Sequence, residues 1–397
     1  MPRRLANAGA ARADRQDVTT NPRQIYLDYN ASTPIAPEVV AVMRPFLDGA
    51  YGNPSSGHWA GKPAREAVEG ARDQVAKLLG CASDEVVFTS GGSEANNHAL
   101  KGVAFALREK GDHIVTSAIE HPATLAPCDY LAKFGCKITH VPVDRFGLVD
   151  PDEVRRALTP RTILVSIMHA NNEVGTIEPI EDISRITRER GILLHTDSAQ
   201  SAGKIRTKVD NLGVDLLSIA GHKLYAPKGV GALYIRRGTP IEPLIHGAGH
   251  EAGRRAGTES ALMAVALGAA AELASDLEQM KRIRALRNRF WQQLQSELGN
   301  RIVLNGHPEL RLPNTLNVSF VGRIGSEVLM GLQGIAASTG AACHSGLVEL
   351  SPVLQAMGIT LEAGMGAIRF SLGRGTTEEE IDAVVAQLRQ TVGIQSS

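Results

Sequence analysis

The chain has 397 residues, with 42 Lys and Arg against 42 Asp and Glu and no net formal charge. That balance argues against a role on nucleic acid or a membrane surface driven by net charge, and no apolar stretch is long enough to span a bilayer. The length suggests roughly two or three domains, and a hydrophobic content of 43% suits a soluble globular protein.

The first 20 residues hold Arg3, Arg4, Arg12 and Arg15 among alanines, interspersed with Asp14 and Asp17. Residues 1–23 read as a disordered tail rather than an Arg-rich transit peptide. No secretory apolar region is visible, so a cytoplasmic location is expected. Cys81, Cys128, Cys136 and Cys343 form no CxxC pair and no zinc-like spacing, so neither a disulfide framework nor a metal site is expected.

In chain order, Arg65 to Leu79 places Ala67, Val68, Ala71, Val75, Leu78 and Leu79 at helical spacing and stops at Gly80. Seven short apolar runs follow: Glu85 to Thr89, His113 to Thr116, Thr139 to Val143, Thr162 to Met168, Ile192 to His195, Leu216 to Ala220 and Ala232 to Ile235. Helical patterns separate many of them, at Ser93 to Glu109, Pro151 to Ala157 and Ile180 to Glu189. Such alternation predicts an α/β fold with a mostly parallel sheet covered by helices. Ser260 to Leu298 reads as one long helical region leading into a smaller domain. The expected boundaries are 31–275 for the large domain and 24–30 with 276–397 for the small one.

The polar residues worth attention follow strands, where ligands bind in such sheets. Asp197 ends one apolar run, and Gly221-His222-Lys223 follows another. A lysine that forms a Schiff base and an aspartate that keeps a pyridine nitrogen protonated are what pyridoxal 5'-phosphate (PLP) needs. Gln200, three residues after Asp197, shares its face if a helix starts there. Thr89-Ser90-Gly91-Gly92-Ser93-Glu94 runs from a strand into a helix, with Ser93 suited to the N-cap. This is a structural turn or a phosphate cup, and Ser218 and His222 beside the lysine favour the cup. His121 follows a strand and is either a satisfied core residue or a ring-stacking proton shuttle. Asn172 lies in an Asn-rich turn whose amides can also hold a substrate carboxylate or a hydroxyl of the cofactor ring. Arg369, inside an apolar run, calls for an anionic partner, either a structural carboxylate or a substrate. Cys343 sits in the small, polar run from Ala337 to Gly346, which reads as a mobile loop. It is an incidental loop cysteine or an exposed nucleophile.

Together these residues resemble the class V aminotransferase superfamily, and within it the cysteine desulfurases. The resemblance runs from Tyr26 onward, through Tyr26-Leu27-Asp28-Tyr29-Asn30-Ala31, Gly52-Asn53-Pro54-Ser55-Ser56, Met168-His169-Ala170-Asn171-Asn172-Glu173, Gly257-Thr258-Glu259, Leu312-Pro313-Asn314-Thr315 and Arg369-Phe370-Ser371-Leu372-Gly373-Arg374. It implies PLP fold type I and conversion of L-cysteine to L-alanine, with sulfur held as a persulfide on Cys343. An acceptor protein such as an iron–sulfur scaffold would then take the sulfur. By the same resemblance Lys223 carries the cofactor, Asp197 pairs with its ring nitrogen, Gln200 contacts its hydroxyl and His121 stacks on the ring. Gly92, Ser93, Ser218 and His222 would bind the phosphate. Thr258 would reach the phosphate in the neighbouring subunit of a homodimer, and Arg369, Asn172 and Asn53 would hold the substrate carboxylate. Two departures stand out. Ser93 replaces the family's usual threonine, and Ala341-Ala342-Cys343-His344-Ser345 also resembles selenocysteine lyases. A selenocysteine lyase is therefore the alternative reading. A non-catalytic cluster-assembly scaffold would have no use for Lys223, Asp197, His121 and Cys343 together.

Overall fold

The structure, a computed structural model, describes residues 24–344 and 347–393. The tail expected over 1–23 lies outside the described residues. The chain enters on the short strand β1 (Ile25–Tyr26), followed by helices α1 (Pro37–Asp48) and α2 (Gly61–Leu79). On α2 the buried face is Ala64, Val68, Ala71, Val75, Leu78 and Leu79. The helix stops at Gly80, whose left-handed φ of 73° directs its N–H to the Ala76 carbonyl.

The central sheet takes β2 (Val86–Thr89), β3 (His113–Ser117), β4 (Lys137–Val141), β5 (Thr162–Ser166), β6 (Leu193–Asp197), β7 (Leu216–Ala220) and β8 (Gly231–Ile235). Their order is β2-β8-β7-β6-β5-β3-β4. Every pairing is parallel except those of β8, which runs antiparallel to both β2 and β7. Strands β3, β5, β7 and β8 are buried at every residue, as expected where helices cover both faces. One strand falls two residues earlier than its apolar run suggests. β4 ends at Val141 because Pro142 has no N–H to continue the ladder.

Helices α3 (Gly92–Ala106), α4 (Pro122–Ala132), α5 (Pro151–Ala157), α6 (Ile180–Glu189) and the single turn α7 (Val209–Leu212) connect these strands. The long helical region resolves into two helices, α8 (Ala261–Ala274) and α9 (Glu278–Leu298). Asp276 makes the break, its Oδ1 accepting from the Glu278 N–H at 2.9 Å.

A second, antiparallel sheet has the order β12-β15-β10-β9, from β9 (Ile302–Asn305), β10 (Thr315–Phe320), β12 (Ser338–Thr339) and β15 (Ala367–Ser371). It packs against α9 and the helix Glu378–Gly393 through Phe290, Phe320, Phe370 and Leu388. β1 pairs parallel with β11 (Ile335–Ala336), and Ile25 and Leu27 join this second core. The N-terminal strand thus returns to the C-terminal part of the chain. The remaining two strands, β13 (Ala341–His344) and β14 (Leu347–Leu350), pair as an antiparallel hairpin in which Cys343 opposes Val348. Cys343 therefore falls on a strand and not in the loop its neighbours suggest. Ser345 and Gly346 lie outside the described residues. No helix of the described residues is long and apolar enough to cross a membrane.

Candidate active site

A cavity of about 630 Å³ opens at the carboxyl edge of the central sheet, a size that suits a cofactor with a small substrate. Strands β6 and β7 pair in parallel with Asp197 opposite Ser218, so Asp197 and the turn Gly221-His222-Lys223 leave the sheet at adjacent points. The Asp197 carboxylate is buried and accepts from Asn96 Nδ2 at 2.6 Å and the Ala199 N–H at 2.8 Å. The Lys223 ammonium donates to the carbonyls of Asn30 and Ala31. Burial, helped by the Arg369 charge, pushes the Lys223 pKa down to about 8, against the pull of Asp197 and Asp28.

His121 is the N-cap of α4, and its Nδ1 accepts from the Ala123 N–H at 3.0 Å. That bond leaves Nε2 to carry the proton in the neutral ring. Burial lowers the His121 pKa, with Asp197 opposing and Lys223 reinforcing. Gln200 sits in a turn and not on a helix. Its Nε2 donates to the Asn30 carbonyl at 2.9 Å, and its Oε1 accepts from Lys204 at 2.9 Å.

The candidate anion-binding end is the start of α3, where Gly91, Gly92 and Ser93 line the cavity. Gly91, at φ 149°, is the N-cap, and Gly92 and Ser93 open the first turn. Ser93 is thus inside the helix rather than at its cap. The free first-turn N–H groups would be the donors to an anion here, and a Cβ on Gly92 would stand 3.3 Å from Ala220 Cβ. His222 lines the same end, and its buried Nδ1 has no hydrogen-bond partner among the described residues. Burial and the neighbouring lysines push its pKa down to about 4. Ser218 does not reach the cavity. It is fully buried, with its Oγ 3.0 Å from His195 Nε2. The residue of β7 that lines the cavity is Ala220, one pleat nearer the strand end.

Arg369 arrives from β15 of the second sheet. Its Nη1 donates to the Asn172 carbonyl at 3.0 Å, and its Nη2 donates to Asp28 Oδ1 at 2.8 Å and Ser338 Oγ at 3.0 Å. Its Nε is buried and unpartnered among the described residues. Arg369 and Asn172 both line the cavity. Asn53 does not. It is exposed, and its Oδ1 accepts from the Ser55 N–H at 2.9 Å. Thr258 lines a smaller neighbouring cavity of about 110 Å³ that shares Ser90, Gly229 and Val230 with the first.

Three further residues contribute to the site without a role that the sequence pattern assigns. Asn30 accepts from both Lys223 and Gln200 through its backbone carbonyl. Asn96 is three residues beyond Ser93, and that one-turn spacing on α3 is the only local signal for it. Lys204 is buried against Gln200, and burial together with Lys223 pushes its pKa well down. No group of three His, Cys, Asp or Glu side chains among the described residues is placed to hold a metal ion.

The donor set fits PLP. A depressed-pKa amine would suit the aldehyde and a buried carboxylate the ring nitrogen, an imidazole lines the wall, and a helix N-terminus with an orphaned imidazole nitrogen would suit the phosphate. Residues 25–384 match the class-V aminotransferase family, and the chain belongs to that family, whose members here are PLP-dependent. Within it the chain sits among cysteine desulfurases. It is 50% identical to cysteine desulfurase IscS of Dictyoglomus turgidum over 93% of this chain and 95% of that protein. The IscS of Methanosarcina thermophila is 45% identical over 95% and 94%. Among solved structures, a NifS-like protein superposes with a TM-score of 0.88 at 39% identity, covering 94% of this chain and 100% of that one. These relatives favour cysteine over selenocysteine as the substrate.

Proposed function

We propose that the chain takes L-cysteine to L-alanine and receives the released sulfur as a persulfide on Cys343. The observation that carries the reading is the meeting, in one cavity, of a lysine lowered to about pKa 8 with Arg369 and Asn172 from the opposite side. When bound, PLP supplies the aldehyde that Lys223 captures and the ring that takes up the electron pair released at the substrate Cα. Asp197 holds the ring nitrogen charged, and the N-terminus of α3 with His222 holds the phosphate. Arg369 takes the substrate carboxylate on the guanidinium edge that carries the unpartnered Nε. The free Lys223 amine, with its pKa lowered to about 8, would be basic enough to move the Cα proton near neutral pH. The Cys343 thiolate then attacks the substrate sulfur. The C–S bond breaks with its electron pair left on the substrate Cβ, an S–S bond forms to Cys343, and His121 Nε2 is available to move the proton that completes the alanine methyl group.

The rest of the proposal concerns assembly. The exposed apolar residues Ile35, Val40, Leu47, Tyr51 and Trp59 are gathered in one stretch of chain, which supports a homodimer in which Thr258 serves the neighbouring cofactor. The two sheets have separate cores, which supports a large domain over 31–275 and a small domain from 24–30 with 276–397. A protein acceptor such as an iron–sulfur scaffold would take the sulfur. Cys81 and Cys128, both raised to about pKa 12 by burial, are poor nucleophiles that would not compete for it. A thiol-keeping compartment, the cytoplasm, suits a free reactive cysteine. The test is mass spectrometry of Cys343 after incubation with cysteine. One added sulfur atom, with alanine released in step, is expected. A Cys343→Ala protein that keeps its bound cofactor and its full alanine release would refute the assignment.

A further inference from the structure

The hairpin that carries Cys343 is rooted at Ser351. The Ser351 N–H donates to the Gly340 carbonyl at 2.9 Å, just below the pair Ala341–Leu350. Its hydroxyl accepts from the Val353 N–H at 3.2 Å, which starts the helix Pro352–Ala356. That helix is pinned by Val353 and Leu354 against Ile119, Met168 and Val174. The same hydroxyl donates to Glu173 Oε2 at 2.5 Å, across 178 residues of sequence.

Glu173 directly follows Asn172, which lines the cavity. Its N–H donates to Asn171 Oδ1 at 2.8 Å, and its carbonyl accepts from Asn317 Nδ2 at 3.1 Å. Its neighbour Asn172 accepts from Arg369 through the backbone carbonyl. The peptide 171–173 therefore has Arg369 fastened at one residue and the hairpin root fastened at the next. Burial pushes the Glu173 pKa up, opposed by the Ser351 hydroxyl and by the Arg369 charge. A buried carboxylate is costly unless hydrogen-bonded, so the Ser351 contact is strongly specified.

We propose that Ser351 and Glu173 are positioning residues: their hydrogen bond registers the Cys343 hairpin against the peptide that holds Arg369, and so sets the approach of the thiol to the bound substrate. The inference rests on Cys343 as sulfur acceptor. A nucleophile misplaced by about 1 Å can lose on the order of a hundredfold in rate. Substrate binding, made by Arg369 and the cofactor, does not depend on the hairpin.

The test uses the holoenzyme and two readouts in single turnover. One is the cysteine-dependent change in the cofactor's visible spectrum, which reports substrate binding. The other is the rate of persulfide formation on Cys343. Ser351→Ala is expected to leave the first within about twofold and slow the second about tenfold or more, with Ser351→Thr restoring it. Glu173→Gln, which leaves the helix cap intact, should show the same split, and the double variant should be no slower than the slower single one. Equal slowing of both readouts, no slowing of either, failure of Thr to rescue, or additive losses would each overturn the proposal. Cys343→Ala separates the two levels. Persulfide chemistry surviving in that variant sinks the acceptor assignment, whereas an unaffected Ser351→Ala sinks only the latch.

Discussion

The Lys223 amine should capture PLP far faster at neutral pH than an ordinary lysine, and with a midpoint set by identifiable neighbours. Its pKa falls from 10.5 to about 8, first through burial and next through Arg369, while Asp197 and Asp28 hold it up. At pH 7 an amine of pKa 10.5 is free in about one molecule in 3,000, and one of pKa about 8 in about one in ten. The gain in reactive amine is about 300-fold. The assay is PLP uptake by apoprotein, followed by visible absorbance as a function of pH. The rate constant should rise about tenfold per pH unit up to about pH 8 and level off above it. Free PLP also titrates in this range, so the decisive comparison is between variants. Arg369→Gln removes the charge that lowers the pKa, and the midpoint should move up. Asp28→Asn removes a carboxylate that raises it, and the midpoint should move down. Three identical midpoints would assign the titration to the cofactor and refute the electrostatic account.

Asp197→Asn should still bind PLP, because the phosphate and aldehyde contacts remain, yet release alanine about a hundredfold more slowly. Retained visible absorbance with lost turnover is the expected pair, and near-normal turnover would count against the ring-nitrogen role. His222→Gln should weaken PLP binding about tenfold, the value of one hydrogen bond to a charged group, whereas Ser218→Ala should leave the affinity within about twofold. Equilibrium titration of apoprotein distinguishes them, and the reverse ranking would move the phosphate site. Glu251→Ala removes the partner of buried Arg72, which it meets at 2.6 Å while also accepting from the Phe88 N–H at 3.1 Å. Breaking such a pair should cost about 3–5 kcal/mol in chemical denaturation, and a loss under about 1 kcal/mol would show that water already screens it.

What was legible in the sequence was whatever the chain encodes locally. The apolar run up to Leu194 and the polar residue that ends the strand, Asp197, stand within a few residues of each other, as do β7 and Lys223. The helix α2 and its glycine stop are equally local. The reversal of β8 was invisible, because a strand buried on both faces shows the same apolar run in either direction. The depth of Ser218 has a related cause. Ser218 and Ala220 share a face of β7, so composition cannot separate them, yet two residues of strand amount to about 7 Å of depth. At that depth a hydroxyl meets His195 inside the sheet instead of a ligand at its edge. Asn30 was missed for a different reason. Its contribution to Lys223 and Gln200 is a backbone carbonyl, which every residue has, and only the return of the N-terminal segment across the chain brings it there. The Asn30 side chain does matter to that placement: Nδ2 donates to Thr315 Oγ1 at 2.8 Å, and Oδ1 accepts from Asn314 at 3.0 Å. The Asn314-Thr315 pair that the sequence offered only as a motif is thus the clamp that holds the Asn30 carbonyl over the lysine. A motif remote from the chemistry acts here through the position of one peptide bond.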